Sequence, residues 1–404
     1  MHTGQYTDIS IKMLHFLLKL TGISVTTNDI EERGRKFAVV YTIVALVYGV
    51  YVNVADIYHS MDDLDHCIFL TSNTLNIVLA MFKLSVVSFY RTEFSDIILY
   101  AQKHFWHLDY NHNEKLLFAE CRKICTMWTI FLVFVTEAAL SFYAIVPICG
   151  NIGNNKSNRV LPVSMWINLP QNVSPYYEIM FTTQVLAVQH IGVSFVGPEN
   201  VLCVLNLHVV YQFRMLQNTL LNLWSDIDKE TDIVAYSNKC YEILKKCIQK
   251  HQSLIEYSAK LEDIFTLPIL STMVIFSVLM CFDTYEMILG DIPTGTRLTF
   301  VFHMLGIFFY IIFFTYICHG LVEESSNISM ALYSGWWTIL PMNESGKMMR
   351  KDMNIIMMKS MRPCHLTAGG FFPVIMETST TVISTTMSYF ALMRESSLRA
   401  KEGN

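Results

Sequence analysis

In this chain of 404 residues, 52% are apolar and only 16% are charged, whereas about a quarter of a soluble domain carries charge. That balance, with 26 Phe, 20 Tyr and 23 Met, excludes an ordinary soluble domain and places the chain among membrane proteins. A net charge of −5 with no basic block excludes an electrostatic nucleic-acid binder.

The chain starts with MHTGQYTDISIKMLHFLLKL, a short amphipathic stretch carrying Lys12 and Lys19 rather than a cleavable signal. It is expected to pack on the cytosolic body or to lie in the membrane interface. Seven apolar segments follow that meet the requirement of about twenty residues for crossing a bilayer. They run over 37–57, 67–90, 126–147, 176–212, 264–289, 298–320 and 368–393. The fourth exceeds what a bilayer needs, so its helix continues into water, and Gly197-Pro198-Glu199-Asn200 predicts a kink within it. The predicted fold is therefore an all-α membrane protein of seven transmembrane helices, read as one unit over 1–404.

Orientation follows from Lys and Arg in the connections. Residues 1–36, 91–125, 213–262 and 321–366 hold five, five, seven and five. The alternate connections 58–66, 148–175 and 290–297 hold none, two and one. The N-terminus is thus expected in the cytosol and the C-terminus outside, opposite to a G-protein-coupled receptor. Two glycosylation sequons, at Asn155 and Asn172, fall in the outer connection 148–175, while those at Asn327 and Asn343 face the cytosol. Ten cysteines show no CxxC spacing, and a Cys67–Cys149 bridge at the outer edge is conceivable. The connections between the inner ends are structured. SNKCYEILKKCIQKHQSLIEYSAKLEDIF repeats apolar residues at three- and four-residue steps without Gly or Pro, which predicts a helix running into the fifth span. Such extended helices need a partner surface, either in the same chain or in other subunits.

No P-loop, HExxH or nucleophile elbow is present, so neither an enzyme nor a cofactor is expected. The histidines of KHFWHLDYNHNE lack ligand spacing, and Cys203 and His208 do not share a helical face, so no metal site is expected. Ionisable groups within spans rarely face lipid. Lys83 is placed to snorkel towards the cytosol. Glu137, His190 and His303 either bond to neighbouring helices or line a cavity in the outer half, for which Phe134, Tyr143, Phe181 and Phe302 are candidate aromatic walls.

The last segment is unusually polar, since eight of the eleven residues from Thr378 to Ser388 carry a hydroxyl. Thr378, Thr381, Thr385, Ser388, Leu392 and Glu395 fall within one arc of about 100° of a helix. This stripe reads either as the wall of a wet path or as helix packing through hydroxyls.

HGLVEESSNISMALYSGWW (319–337) and RPCHLTAGGFFPVIMETSTTVISTTMSYFALM (362–393) closely resemble the C-terminal region of insect odorant receptors. Gly320, Ser325 or Ser326, Ala331, Tyr333 and Trp336, then Leu366-Thr367-Ala368-Gly369, Phe372 and Ser388-Tyr389-Phe390, carry the likeness, and HQSLIEYSAKLEDIFTLPILSTMVIFSVLMC (251–281) is similar to the segment entering the fifth span. The resemblance implies a subunit of a tetrameric, odorant-gated, non-selective cation channel. This chain resembles the tuning subunit, which works with a shared co-receptor subunit in the plasma membrane of sensory neurons and binds a small volatile odorant. It also implies that the last helix forms the pore, narrowest at Leu392, Glu395 and Ser396, with Ser388 and Thr385 further along its wall. The ligand pocket is implied between the second, third, fourth and sixth spans. A gustatory receptor channel is the nearest alternative, and Ser388-Tyr389-Phe390 argues against it.

Overall fold

The computed structural model describes residues 9–24, 29–106, 110–151, 173–223, 233–290, 294–334 and 342–402, with 159, 161–163, 165, 166, 292 and 340 between them. Apart from one two-residue strand pair, the regular elements are helices. They are α1 (Ile9–Thr21), α2 (Asp29–His59), α3 (Leu64–Phe89), α4 (Arg91–His104), α5 (His112–Asn151), α6 (Tyr176–Leu221), α7 (Ile233–Ile288), α8 (Thr294–Tyr333), α9 (Glu344–Ser360) and α10 (Met376–Glu402). Six of them, α2, α3, α5, α6, α7 and α8, are long and apolar enough to cross a membrane. The hydroxyl-rich α10, expected from the sequence as the seventh, is not among them, because its serines and threonines lower its apolarity.

The periodic stretch ahead of the fifth span is continuous with it in α7, as its unbroken apolar steps predict. Local chemistry sets several helix starts. The Asp63 side chain accepts from the His66 N–H at 3.1 Å to open α3, and the Asn343 side chain accepts from the Gly346 N–H at 2.8 Å to open α9. In this structure the Asn343 sequon serves as a helix cap.

The bundle is built around α6. Every residue from Val196 to Phe213 is buried, because α1, α2, α3, α5, α7 and α8 all pack on it. A helix buried all round must satisfy its polar groups on its neighbours. Asn200 Oδ1 accepts from Thr129 Oγ1 of α5 at 2.8 Å, Asn206 Nδ2 donates to the Ile317 carbonyl of α8 at 3.2 Å, and Gln212 Nε2 donates to the Tyr110 hydroxyl at 2.7 Å. Each bond ties α6 to a different partner.

One segment goes beyond its sequence reading and another departs from it. The amphipathic α1 packs on the body of the chain, with His15 edge-on to Trp106 of the inner connection at 6.1 Å, and reaches further along the bundle than that connection. Its buried stripe of Ile11, Leu14, Leu17 and Leu18 faces the middle of α5 and α6, where Met13, Phe16 and Leu17 line a cavity of about 130 Å³ with Thr136, Glu137 and Gly192. The last apolar segment is not one helix from 368. Strands β1 (Thr367–Ala368) and β2 (Phe372–Pro373) pair antiparallel around Gly369 and Gly370, both in the left-handed region at φ 63° and 75°. Hydropathy counts these apolar residues as span, whereas the glycines and Pro373 make a turn. The turn is fixed to α7. The Gly369 N–H donates to the Thr266 carbonyl at 2.9 Å, Thr367 Oγ1 donates to Glu262 Oε1 at 2.7 Å, and Val374 N–H donates to the Leu366 carbonyl at 2.8 Å. At Gly369 a Cβ would also meet Leu270 Cδ2 at 2.6 Å, a side-chain end that can move aside, so it is the left-handed φ that calls for glycine. The Leu-Thr-Ala-Gly run is thus the socket from which α10 departs.

Candidate functional site

Most of the described hydroxyls of α10 are turned onto its own backbone. Ser379 donates to the Met376 carbonyl at 2.6 Å, Thr381 to Glu377 at 3.0 Å, Ser384 to Thr381 at 3.0 Å, Thr386 to Val382 at 2.9 Å and Ser388 to Ser384 at 3.0 Å. Satisfied in this way, they are inexpensive to place at membrane depth. The first turns rest on α7 and α8 through buried Thr378, Ser379 and Thr386, with Val382 and Ile383 packed against the core. The Cys281 thiol of α7 reaches the Thr386 carbonyl at 3.6 Å.

The other face is uncovered by this chain. Thr381, Thr385, Ser388 and Glu395 are exposed, and Leu392 is 62% exposed. Only Thr378 of the predicted stripe is buried, because the hairpin closes over it and its hydroxyl donates to the Pro373 carbonyl at 3.0 Å. Beyond Thr386 the helix stands away from the bundle, with Met387, Tyr389 and Arg394 exposed as well. The side chain of Ser396 lies outside the described residues. A helix that exposes Met387, Tyr389 and Leu392 around its circumference is open to lipid or to another subunit.

The candidate ligand-binding residues fall in separate places. Glu137 borders the cavity beneath α1. The His190 Nε2 meets Thr42 Oγ1 of α2 at 2.7 Å, with Tyr41 edge-on at 4.5 Å. Phe134 and Phe302 are 69% and 50% exposed, and Phe302 stacks on Phe142 at 6.3 Å. Phe181 lies against Tyr177 at 5.8 Å, and the side chain of Tyr143 is outside the described residues. His303 is the best placed of them. Its Nδ1 lies 2.9 Å from Asp283 Oδ2 of α7, and its Nε2 lies 3.3 Å from Asn76 Nδ2 of α3. The Asn76 Nδ2 can only donate, so Nε2 accepts and Nδ1–H donates to the carboxylate. One turn beyond Asp283, Glu286 is fully buried, and neither of its oxygens has a partner among the described residues. Asp283, Glu286 and Asn76 were not singled out in the sequence, although a carboxylate inside an apolar span is itself the signal that finds them.

A second intramembrane group replaces the snorkelling lysine. Lys83 is fully buried and does not reach an interface. Its ammonium pairs with Glu199 Oε1, which also accepts from Thr272 Oγ1 at 3.1 Å, while Glu199 Oε2 accepts from the Tyr310 hydroxyl. The ammonium also lies 4.7 Å from the Phe195 ring centroid. This cluster joins α3, α6, α7 and α8. Burial of the lysine is tolerated because a carboxylate of the continuous α6, next to Pro198, meets it.

At the outer edge, Cys67 and Cys149 are free thiols, and the Cys67 thiol donates to the Ser60 carbonyl at 3.1 Å. Asn155 and Asn172 lie outside the described residues.

Residues 67–387 match the 7tm Odorant receptor family. The chain is similar to odorant receptor 13a of Drosophila melanogaster, at 21% identity over 302 residues covering 70% of this chain and 69% of that one. It is also similar to odorant receptor 10 of Aedes albopictus, at 25% identity over 239 residues covering 58% of this chain and 60% of the relative. Among solved structures, the fold matches the insect olfactory receptor OR5 from Machilis hrabei in complex with eugenol, with a TM-score of 0.79 and 12% identity, covering 95% of this chain and 97% of that one.

Proposed function

The chain belongs to the 7tm odorant receptor family of multi-pass membrane proteins, which are receptors rather than enzymes, and from that premise we propose that it is the odorant-binding subunit of a ligand-gated, non-selective cation channel. In this reading it assembles with a co-receptor subunit into a tetramer in the plasma membrane of sensory neurons. The whole of 1–404 forms one unit with its N-terminus in the cytosol, and the outer connection carries glycans at Asn155 and Asn172. The observation that carries the proposal is the uncovered face of α10, where Thr381, Thr385, Ser388, Leu392 and Glu395 are all exposed while the opposite face rests on α7 and α8. Around a shared axis such a face becomes a hydroxyl-lined path, narrowed by leucines and ending in carboxylates.

The ligand is a small volatile held in the outer half of the bundle. His303, paired with Asp283, supplies polar anchoring there, and Phe134, Glu137, Tyr143, Phe181, His190 and Phe302 are further candidates that do not form one cluster. Binding opens the channel to the extent that the odorant prefers the open arrangement of α5 to α8. A constriction of leucines closes a narrow pore by excluding water. Leu392→Ala is therefore expected to raise ligand-independent current by roughly tenfold, the change produced by about 1.4 kcal/mol in the closed–open balance. The check is recording from cells that express the variant with and without the co-receptor, with surface protein quantified. A silent background at normal surface level contradicts Leu392 as the gate.

A further inference from the structure

Among the described residues, one group of side chains has metal-ligand character and lies outside the pore and the outer pocket. Cys121 and Cys125 stand one turn apart on α5 and face His208 of α6. The two sulfurs are 4.0 Å apart, and Cys121 Sγ is 3.6 Å from His208 Nδ1. The ligand atoms of all three residues lie within 4.8 Å of one another, and all three side chains are at most 1% exposed. Zinc bonds of about 2.3 Å to sulfur and 2.0–2.1 Å to nitrogen, in a tetrahedron, separate neighbouring ligand atoms by about 3.6–3.8 Å. The Cys121–Cys125 and Cys121–His208 pairs therefore already stand close to the corners one small ion would need, and the Cys125 and His208 ligand atoms lie within 4.8 Å of each other.

Burial argues in the same direction. The His208 nitrogen that faces the sulfurs, Nδ1, meets among the described residues only the Cys121 thiol, a weak hydrogen-bonding group, at 3.6 Å, so its burial is poorly offset without an ion. Trp106 and Phe118 wall the ring at 5.8 and 5.9 Å, leaving an apolar surround. In such a setting the charge must sum to zero, which two thiolates, a neutral imidazole and a divalent ion achieve. Soft sulfur ligands select ions of this kind over magnesium or calcium. We propose that Cys121, Cys125 and His208 bind a thiophilic divalent cation, Zn²⁺, which clamps α5 to α6 near their inner ends. Three protein ligands leave the fourth corner of the tetrahedron open. Binding displaces the two thiol protons to solvent and involves no redox step. The sequence concealed the site because two ligands are one turn apart on α5 and the third is 83 residues beyond Cys125, on another helix.

The test uses the full chain purified with its co-receptor, stripped with EDTA, reloaded with Zn²⁺ and dialysed before elemental analysis. Roughly one additional zinc ion per copy of this chain is expected relative to a Cys121→Ser/Cys125→Ser variant, and His208→Gln should weaken retention. Cobalt loading of the unmodified protein gives a readout that needs no variant. A thiolate-to-cobalt charge-transfer band at matching stoichiometry supports the site. Absence of both retained zinc and that band overturns it. Copper retained at the same residues in place of zinc overturns the choice of ion.

Discussion

Glu199→Gln is expected to cost about 3–5 kcal/mol and to remove most of the receptor from the cell surface, because it leaves Lys83 charged and unpaired inside the bundle. Lys83 has no exposed surface, and the atoms around it are the Glu199 carboxylate and the rings of Phe195 and Phe276. Proteins hold only about 5–15 kcal/mol of net stability, so a loss of this size is decisive. The double variant Lys83→Met/Glu199→Gln should recover most of the surface protein. Methionine fills a similar volume without charge, and the glutamine carbonyl can still accept from Tyr310 and Thr272. Thermal unfolding in detergent and surface biotinylation read both steps. Equal loss in the single and double variants would show that the cluster matters through something other than its ion pair.

Glu395→Lys is the second large effect, and it acts on permeation rather than folding. Glu395 is exposed on the uncovered face of α10, one turn beyond Leu392, so its replacement leaves the packed core untouched. In water a unit charge about 4 Å from a permeating ion contributes about 1 kcal/mol, and reversing its sign doubles the change. Each subunit carrying the lysine should therefore lower cation occupancy at the mouth by up to about thirtyfold, the factor that about 2 kcal/mol produces. Odorant-evoked conductance should fall and the reversal potential should shift towards that of chloride. Unaltered conductance and reversal potential in cells with normal surface protein would remove Glu395 from the pore.

The elements that could be read from sequence are those written in periodicity. The long α7 follows from apolar steps of three and four, and the uncovered face of α10 from the phase of Thr381, Thr385, Ser388 and Leu392. Residues 367–375 were misread because a hydropathy window averages over Gly369 and Gly370, whose left-handed φ values make a turn. Lys83 was misread for a different reason. Snorkelling is a property of one side chain, whereas its burial depends on Glu199, 116 residues away in another helix. The same holds for His303 with Asp283, and for His208 with Cys121 and Cys125. Pairwise partners of this kind are fixed by tertiary packing, and no local spacing reveals them. The pattern that was available is that Lys83 and Glu199, opposite charges in two spans, each lacked a partner.

The central claim is that α10 lines the conducting path, and Leu392→Cys tests it most directly. Cells expressing this variant with the co-receptor are exposed to a positively charged, membrane-impermeant thiol reagent during odorant-evoked current, with the unmodified receptor as control for the exposed Cys149. Modification should reduce the current irreversibly in the variant only, and faster while odorant holds the channel open. A current that is unaffected in both, with surface Leu392→Cys protein confirmed, would place α10 away from the pore.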